Sequence, residues 1–158
     1  GIQIAKINNN TLDLLHHFLN TFRKKFSCFV IYPLETLNNL ILNESILIYT
    51  LVQNNEILGA YFFRKTGTYT NSTNQNLECF CSINNCINEN VFIDGFFLAL
   101  EKERKNFTSL YFESLSHNNS ILEVLKKIKT PTFVSPCAYY IYNFSQWTLK
   151  SKDCAILL

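Results

Sequence analysis

The sequence contains no methionine, only four glycines, and few charged residues, which make up 16% of its 158 positions. It begins with Gly1, so we expect this start not to be a nascent one. No apolar run approaches the ~20 residues that a membrane-spanning helix needs, and no secretory signal opens the chain. We therefore expect no membrane span and a cytoplasmic location, in which the thiols stay reduced.

The charge balance does not favour binding to a polyanionic partner. The formal net charge is +2, and basic residues cluster only at Arg23-Lys24-Lys25 and along 102–105. Short clusters of this kind are typical of solvated helix ends, so nucleic acid is not a predicted partner. Apolar residues reach 47% of the chain, which predicts a folded domain with a substantial core.

The cysteines show no metal-binding spacing. None of the six forms a CxxC pair, and no histidine lies near the group at 79–86. Alternate positions such as Cys79 and Cys81 lie on one face of a strand, where cysteine behaves as a small hydrophobe. His16 and His17 are adjacent in a predicted helix and point apart. No metal is therefore predicted; the cysteines are Cys28, Cys79, Cys81, Cys86, Cys137 and Cys154.

Hydrophobic periodicity predicts helices at 11–26, 33–42, 90–105 and 118–128. Thr11 is a candidate N-cap, and Ser120 with Glu123 has capping-box spacing. Strands are predicted at 45–52, 56–64, 77–85, 109–112, 138–146 and 155–158, with a hairpin turn at 53–55 and a surface loop at 66–76. This order predicts an α/β (α+β) fold of the acetyltransferase-like (GNAT) type, a mixed and mostly antiparallel sheet flanked by helices, as one domain over 1–158.

A glycine-rich turn is missing where an acetyltransferase of this fold needs one. Such enzymes hold the CoA pyrophosphate on backbone amides between the third long strand and the next helix. Here that turn spans 86–90, contains no glycine and carries Glu89. We therefore predict that this domain holds no CoA and no other cofactor by itself.

The C-terminal part of the sequence resembles a known family. Tyr139-Tyr140-Ile141-Tyr142-Asn143-Phe144 stands where protein N-myristoyltransferases have Tyr-Tyr-Leu-Tyr-Asn-Trp, and the chain ends in the aliphatic Ala155-Ile156-Leu157-Leu158. Gly1-Ile2-Gln3 is similar to the start of the second repeat of that family, and the hairpin through Phe63 is similar as well. The chain thus resembles the C-terminal, peptide-binding half of a glycylpeptide N-tetradecanoyltransferase over its whole length.

The resemblance implies a division of labour. The other, N-terminal half would bind myristoyl-CoA, the co-substrate, and this half would bind the N-terminal glycine of protein substrates. The terminal carboxylate of Leu158 would be the general base that takes a proton from the glycine ammonium. Leu157 would line the glycine site, and Thr68, Cys81 and Ser114 match peptide-binding positions.

Some residues depart from the family pattern and leave other functions open. Cys81 replaces a tyrosine, Ser114 replaces an aspartate, and 129–133 replaces a Gly-Asp-Gly turn. The alternatives are a free-standing small GNAT acyltransferase and a non-catalytic peptide-binding module. A Ser–His nucleophile at His117 lacks an accompanying acid in sequence, and the tyrosines of 139–142 also fit sheet packing.

Overall fold

The computed structural model describes residues 1–67, 75–128 and 149–157. This part of the chain contains four helices, seven strands and three short 3₁₀ turns. The helices are α1 (Leu12–Phe22), α2 (Leu34–Leu42), α3 (Glu89–Glu103) and α4 (Asn118–Lys127). The strands are β1 (Gln3–Lys6), β2 (Cys28–Ile31), β3 (Ile46–Gln53), β4 (Glu56–Gly67), β5 (Gln75–Asn84), β6 (Ser109–Phe112) and β7 (Cys154–Leu157).

Five of the strands form one sheet in the order β1-β3-β4-β5-β6. The first four are antiparallel to one another in turn, whereas β6 lies parallel to β5. The remaining strands, β2 and β7, form a separate parallel pair. The predicted mixed and mostly antiparallel sheet flanked by helices is therefore confirmed.

The sheet carries an apolar cluster on each of its two faces. One cluster joins α1, α2 and β7 to the sheet through side chains such as Leu15, Phe62 and Leu157. The other joins α3 and α4 to the opposite face through side chains such as Tyr61 and Phe96. Alternate residues of β4, such as Tyr61 and Phe62, enter different clusters because successive side chains of a strand point to opposite faces.

The β3–β4 hairpin turns where the sequence predicted it. Asn54 and Asn55 have φ values of 52° and 63°. Two consecutive positive φ values match the type I′ turn, whose twist suits a two-residue hairpin loop, and asparagine tolerates that conformation. A register shift at Leu51/Val52 and another at Phe62/Phe63 bend the long strands.

Several local predictions are corrected. The first helix ends at Phe22 and continues as a 3₁₀ turn rather than as an α-helix through 26. Thr11 occupies the N-cap position but makes no capping bond. Its Oγ1 instead accepts a hydrogen bond from the amide of Asn8 at 2.9 Å.

The capping box at Ser120 and Glu123 is also wrong. Helix α4 begins at Asn118 with His117 as its N-cap, so Ser120 lies inside the helix. Strand β1 was not predicted, and 28–32 was not assigned as a strand. The predicted loop at 66–76 is strand at both of its described ends, up to Gly67 and from Gln75. The predicted strand at 138–146 lies outside the described residues.

Candidate functional site

The sheet splits where β5 and β6 diverge. Strand β5 extends to Asn84, but β6 pairs only with the stretch from Asn76 to Cys79. Beyond Cys79, no strand among the described residues pairs with the edge of β5 that faces away from β4. In open α/β sheets, ligands bind in the crevice at the carboxyl ends of diverging strands. A ligand is therefore expected to bind along the second half of β5.

The chain itself fills this crevice. After β6, the amide of Glu113 donates to the carbonyl oxygen of Cys79 at 3.1 Å. The amide of Ser82 donates to Ser116 Oγ at 3.2 Å, and the carbonyl oxygen of Ser82 accepts from the amide of His117 at 3.2 Å. The amide of Asn84 donates to His117 Nδ1 at 2.8 Å. The segment 113–118 thus bonds the backbone groups that a ligand in the crevice would otherwise use.

The side chain of Asn118 holds residues 113–118, the crevice segment, in place. Its side chain is fully buried. Its Nδ2 donates to the carbonyl oxygens of Cys79 at 3.1 Å and of Glu113 at 2.8 Å, and its Oδ1 accepts from Ser82 Oγ at 2.6 Å. The hydrogen bonds of a buried amide of this kind act together as one network. Asn118 therefore ties β5, the end of β6 and the start of α4 together.

Ser116 makes the turn of the crevice segment. Its φ of 50° is left-handed, a conformation that is uncommon for a residue with a side chain. The residue is 1% exposed, and its amide donates to the carbonyl oxygen of Ser151 at 3.0 Å. The strain is retained because the surrounding bonds determine the conformation.

His117 is held as a neutral imidazole. Because its Nδ1 accepts from the amide of Asn84, the ring proton belongs on Nε2. Its ring lies 5.5 Å from that of Phe26 and 6.5 Å from that of Phe92, measured between centroids. Burial and then the Lys25 charge lower the pKa of His117 below 6.5, against a smaller opposite effect of Glu89. The residue acts as a backbone acceptor here, and the described structure does not pair it with a nucleophile.

The turn before α3 also uses its own amides. Asn88 is the N-cap, and its Oδ1 accepts from the amide of Asn90 at 3.0 Å. The amide of Cys86 donates to Asn84 Oδ1 at 2.8 Å, and the amide of Asn85 donates to the carbonyl oxygen of Leu58 at 2.7 Å. Glu89 adds a negative charge to the first turn. These bonds and this charge disfavour a phosphate at the helix N-terminus.

The structure separates the predicted site residues into two places. Cys81 lies at the crevice, fully buried, with its Sγ 3.2 Å from Ser116 Oγ. Burial raises the pKa of this thiol to about 12. Ser114 is exposed in the same segment, and its Oγ donates to Asn119 Oδ1 at 2.6 Å. As placed, only Ser114 of these two is accessible to a peptide.

Leu157 lies in the second of these two places, which is the β2–β7 pair. It is 2% exposed and is paired with Ile31. Thr68 and Leu158 lie outside the described residues. Sequence reasoning missed Ser82, Ser116 and Asn118; the available signal was the presence of polar residues in an otherwise apolar strand and just before a helix.

A cavity of about 280 Å³ adjoins the β2–β7 pair. It lies between α1 and α2, and Ile31, the partner of Leu157, is part of its wall. His16 and Tyr32 are the residues with polar side-chain groups among an otherwise apolar lining. The lining residues are Leu12, His16, Leu19, Ile31, Tyr32, Pro33, Leu34 and Leu37. A space of this size and character fits an apolar side chain.

A carboxyl group with a raised pKa lies further along β5. Burial, followed by a hydrogen bond with Glu113, raises the pKa of Glu78 to about 7 against the opposing charge of Arg64. Arg64 Nε lies 3.3 Å from Glu78 Oε2, and its guanidinium lies 4.1 Å above the centre of the Phe80 ring. Glu78 is therefore partly protonated near neutral pH.

Among residues 1–67, 75–128 and 149–157, no helix is long and apolar enough to cross a membrane. In the same ranges, no three His, Cys, Asp or Glu side chains come together as they would around a metal ion.

Comparisons with known proteins give a fold and no closer relative. No family model and no curated protein matches the chain. An aminoglycoside acetyltransferase from an uncultured soil metagenomic sample, solved with sisomicin, has a TM-score of 0.64 at 14% identity, covering 91% of this chain and 97% of its own. Aminoglycoside N-acetyltransferase AAC(6')-Iy, solved with CoA, has a TM-score of 0.58 at 9% identity, with coverage of 90% and 100%.

A third structure, the ribosomal-protein-alanine N-acetyltransferase of Brucella melitensis biovar Abortus 2308, has a TM-score of 0.62 at 8% identity, covering 91% of this chain and all of its own. At these identities the likeness concerns the fold. The predicted GNAT fold is confirmed: the chain has the fold of the GNAT acetyltransferases.

Proposed function

We propose that this chain works in N-acyl transfer as the peptide-binding half of an N-myristoyltransferase. In that role it presents the N-terminal glycine amine of a protein substrate to myristoyl-CoA held by another half. The amine nitrogen attacks the thioester carbonyl carbon, the C–S bond breaks and CoA leaves as the thiolate. This chain would supply the peptide site and the proton acceptor.

The filled crevice is the observation that supports this role. A domain that binds its acyl donor alone needs backbone groups along β5 and amides at the start of α3. Here Ser116 and His117 bond the amides of Ser82 and Asn84, and Asn88 caps α3. A GNAT domain whose donor site is occupied by its own chain is suited to the acceptor side of the reaction.

The proposed acceptor site lies at the end of β7. Strand β7 runs parallel to β2, and its residue Leu157 pairs with Ile31, which lines the cavity of about 280 Å³. We propose the Leu158 carboxylate as the general base. A terminal carboxylate has a pKa of roughly 3.3–3.7 in water, and an apolar surrounding raises it toward the range that a base needs at neutral pH.

Calorimetry of the chain with CoA, acetyl-CoA and myristoyl-CoA tests the first part of the proposal. We expect no heat of binding with any of the three at micromolar protein. A control titration with CoA of an acetyltransferase that binds it confirms that the ligands are active. Micromolar binding of CoA to this chain alone would overturn the division of labour.

An acyl-transfer assay tests the base. The chain is combined with the myristoyl-CoA-binding half of an N-myristoyltransferase and given an N-terminal glycine peptide. Extension beyond Leu158 by three residues moves the carboxylate away and should abolish transfer, whereas Leu158→Ala keeps the carboxylate and should retain a measurable rate. Equal rates for the extended and parent chains would sink the proposed role of the carboxylate.

Two other functions have their own support. The solved structures of similar fold are acetyltransferases, one of them with CoA bound, and this favours a free-standing small acyltransferase. The departures from the family pattern at Cys81, Ser114 and 129–133 favour a non-catalytic peptide-binding module. Binding of CoA to the chain alone would favour the free-standing acyltransferase over our proposal. Capture of a glycine peptide without any acyl transfer in the combined assay separates the second.

A further inference from the structure

Two cysteines face each other in the β2–β7 pair. Cys28 of β2 is in register with Cys154 of β7, at the first of the four paired positions. Both thiols are free in the structure. The sequence separates them by most of the chain, so only the tertiary structure brings them together.

The pairing meets the geometric requirement for a disulfide. Neighbouring strands lie about 4.7–4.9 Å apart, and a disulfide joins Cα atoms that are about 4.4–6.8 Å apart. Two residues in register on adjacent strands also direct their side chains to the same face of the pair. Burial, and then the proximity of Cys28 and Asp153, raise the pKa of Cys154.

The two thiols differ in access. Cys28 is half-buried, whereas Cys154 is 6% exposed. Cys154 Sγ also donates to the carbonyl oxygen of Lys150 at 3.5 Å, which holds it as a thiol. A thiolate attacks a disulfide faster the more accessible it is. Cys28 is therefore the thiol that meets an oxidant first, and Cys154 is the resolving thiol.

We propose that Cys28 and Cys154 form a reversible redox site that takes low-molecular-weight disulfides such as oxidised glutathione. The Cys28 thiolate attacks one sulfur of the oxidant and releases one glutathione thiolate, which leaves a mixed disulfide. The Cys154 thiolate then attacks Cys28 Sγ, releases the second glutathione and closes the cross-strand bond. The two protein thiols lose two electrons and two protons, and oxidised glutathione becomes two molecules of the reduced form.

The bond would fix β7 to β2. In the reduced chain, β7 is held by four register pairs and by burial of residues such as Ala155 and Leu157. Oxidation adds a covalent link that closes a loop containing most of the chain, and long loops gain most from such closure. The site does not depend on the proposed acyl transfer, because it rests on the β2–β7 register alone.

Peptide mapping of the chain after incubation with oxidised glutathione tests the site. We expect one disulfide-linked peptide pair that contains Cys28 and Cys154, and a rise of roughly 5–15 °C in the melting temperature that dithiothreitol reverses. Cys86→Ser is the matched control, because Cys86 is also half-buried and should leave the link and the shift unchanged.

Two single variants test the order of attack. Cys154→Ser should trap one glutathione on Cys28, whereas Cys28→Ser should leave Cys154 unmodified over the same time. Both variants should lose the oxidation-dependent rise in melting temperature. Absence of the Cys28–Cys154 link under oxidation, or a link from either thiol to any other cysteine, would overturn the proposal.

Discussion

At the residue scale, the crevice depends on a few polar side chains with no exposure to water. Asn118 and Ser82 are both fully buried, their side chains bond each other, and the Asn118 side chain also bonds two backbone carbonyl oxygens. A buried polar group that loses its partner pays the full cost of its removal from water. Truncation of one of these side chains should therefore lower the free energy of unfolding by more than the mean contribution of one hydrogen bond.

Asn118→Ala should lower the free energy of unfolding by about 2–4 kcal/mol, because it leaves Ser82 Oγ without its acceptor and removes the side-chain donor from the carbonyl oxygens of Cys79 and Glu113. The matched control is Asn119→Ala, whose side chain bonds only the exposed Ser114 among the contacts described and should cost less than about 1 kcal/mol. Urea unfolding followed by circular dichroism measures both. Equal effects of the two variants would contradict the anchoring role of Asn118.

His117 should make the protein less stable in mild acid. Its pKa in the folded chain lies below 6.5, so the unfolded chain binds more protons as the pH falls past that value. The contribution of His117 is fully present above about pH 6.5 and is lost progressively down to the lowered pKa. Protonation of Nδ1 would also remove the acceptor for the Asn84 amide.

The variant His117→Asn tests this dependence, because its Oδ1 can accept from the same amide but does not titrate. Urea midpoints between pH 5 and 7.5 should fall less steeply with acid in His117→Asn than in the parent chain, and His17→Asn, at an exposed position of α1, should behave like the parent. Glu78, with its pKa near 7, changes stability in the opposite direction in all three proteins. Identical slopes for parent and His117→Asn would refute the assignment.

At the element scale, the β3–β4 hairpin shows how local chemistry sets register. The turn requires positive φ at both Asn54 and Asn55, and the pairing of Gln53 with Glu56 places it in the sheet. Asparagine tolerates this conformation, but glycine adopts it without the steric cost that a Cβ imposes. The two asparagines therefore permit the turn, although they are not the most favourable residues for it.

Asn55→Gly should raise the free energy of unfolding by about 0.5–1 kcal/mol, since an Asn-Gly pair is the preferred type I′ sequence. Asn55→Ala, the control at the same site, should lower it by about 1 kcal/mol because alanine resists positive φ. Thermal unfolding of the three chains measures the order. A stabilising alanine would show that the turn has another geometry.

At the scale of the whole molecule, a single sheet couples the two apolar clusters. Leu15 belongs to the cluster on the α1 and α2 face, and Leu47 to the cluster on the α3 and α4 face. Both are almost completely buried. Because β3, β4 and β5 contribute side chains to both clusters, we expect neither face to unfold separately.

Leu15→Ala and Leu47→Ala should each lower the free energy of unfolding by about 2–5 kcal/mol, and each should shift one common transition. Leu14→Ala, one residue along the same helix and 59% exposed, should have almost no effect. Far- and near-ultraviolet circular dichroism should give coincident curves for every variant. Two separate transitions in either leucine variant would indicate independent halves.

Most of the elements and the fold class can be read from the sequence alone. Periodicity marked the four helices and strands β3 to β6 to within a few residues. These inferences succeed because side-chain periodicity and turn chemistry are local properties, written in consecutive residues.

The segment that fills the split sheet, and the distant residues that face each other across the chain, become visible in the folded molecule alone. The bonds from Ser116, His117 and Asn118 to β5 join residues more than thirty positions apart, and the pairing of Cys28 with Cys154 spans most of the chain. Strands β1 and β2 were not predicted from the sequence, and the parallel pairing of β2 with β7 joins residues near opposite ends of the chain. Contacts at such separation depend on how the whole sheet closes, which no local pattern encodes.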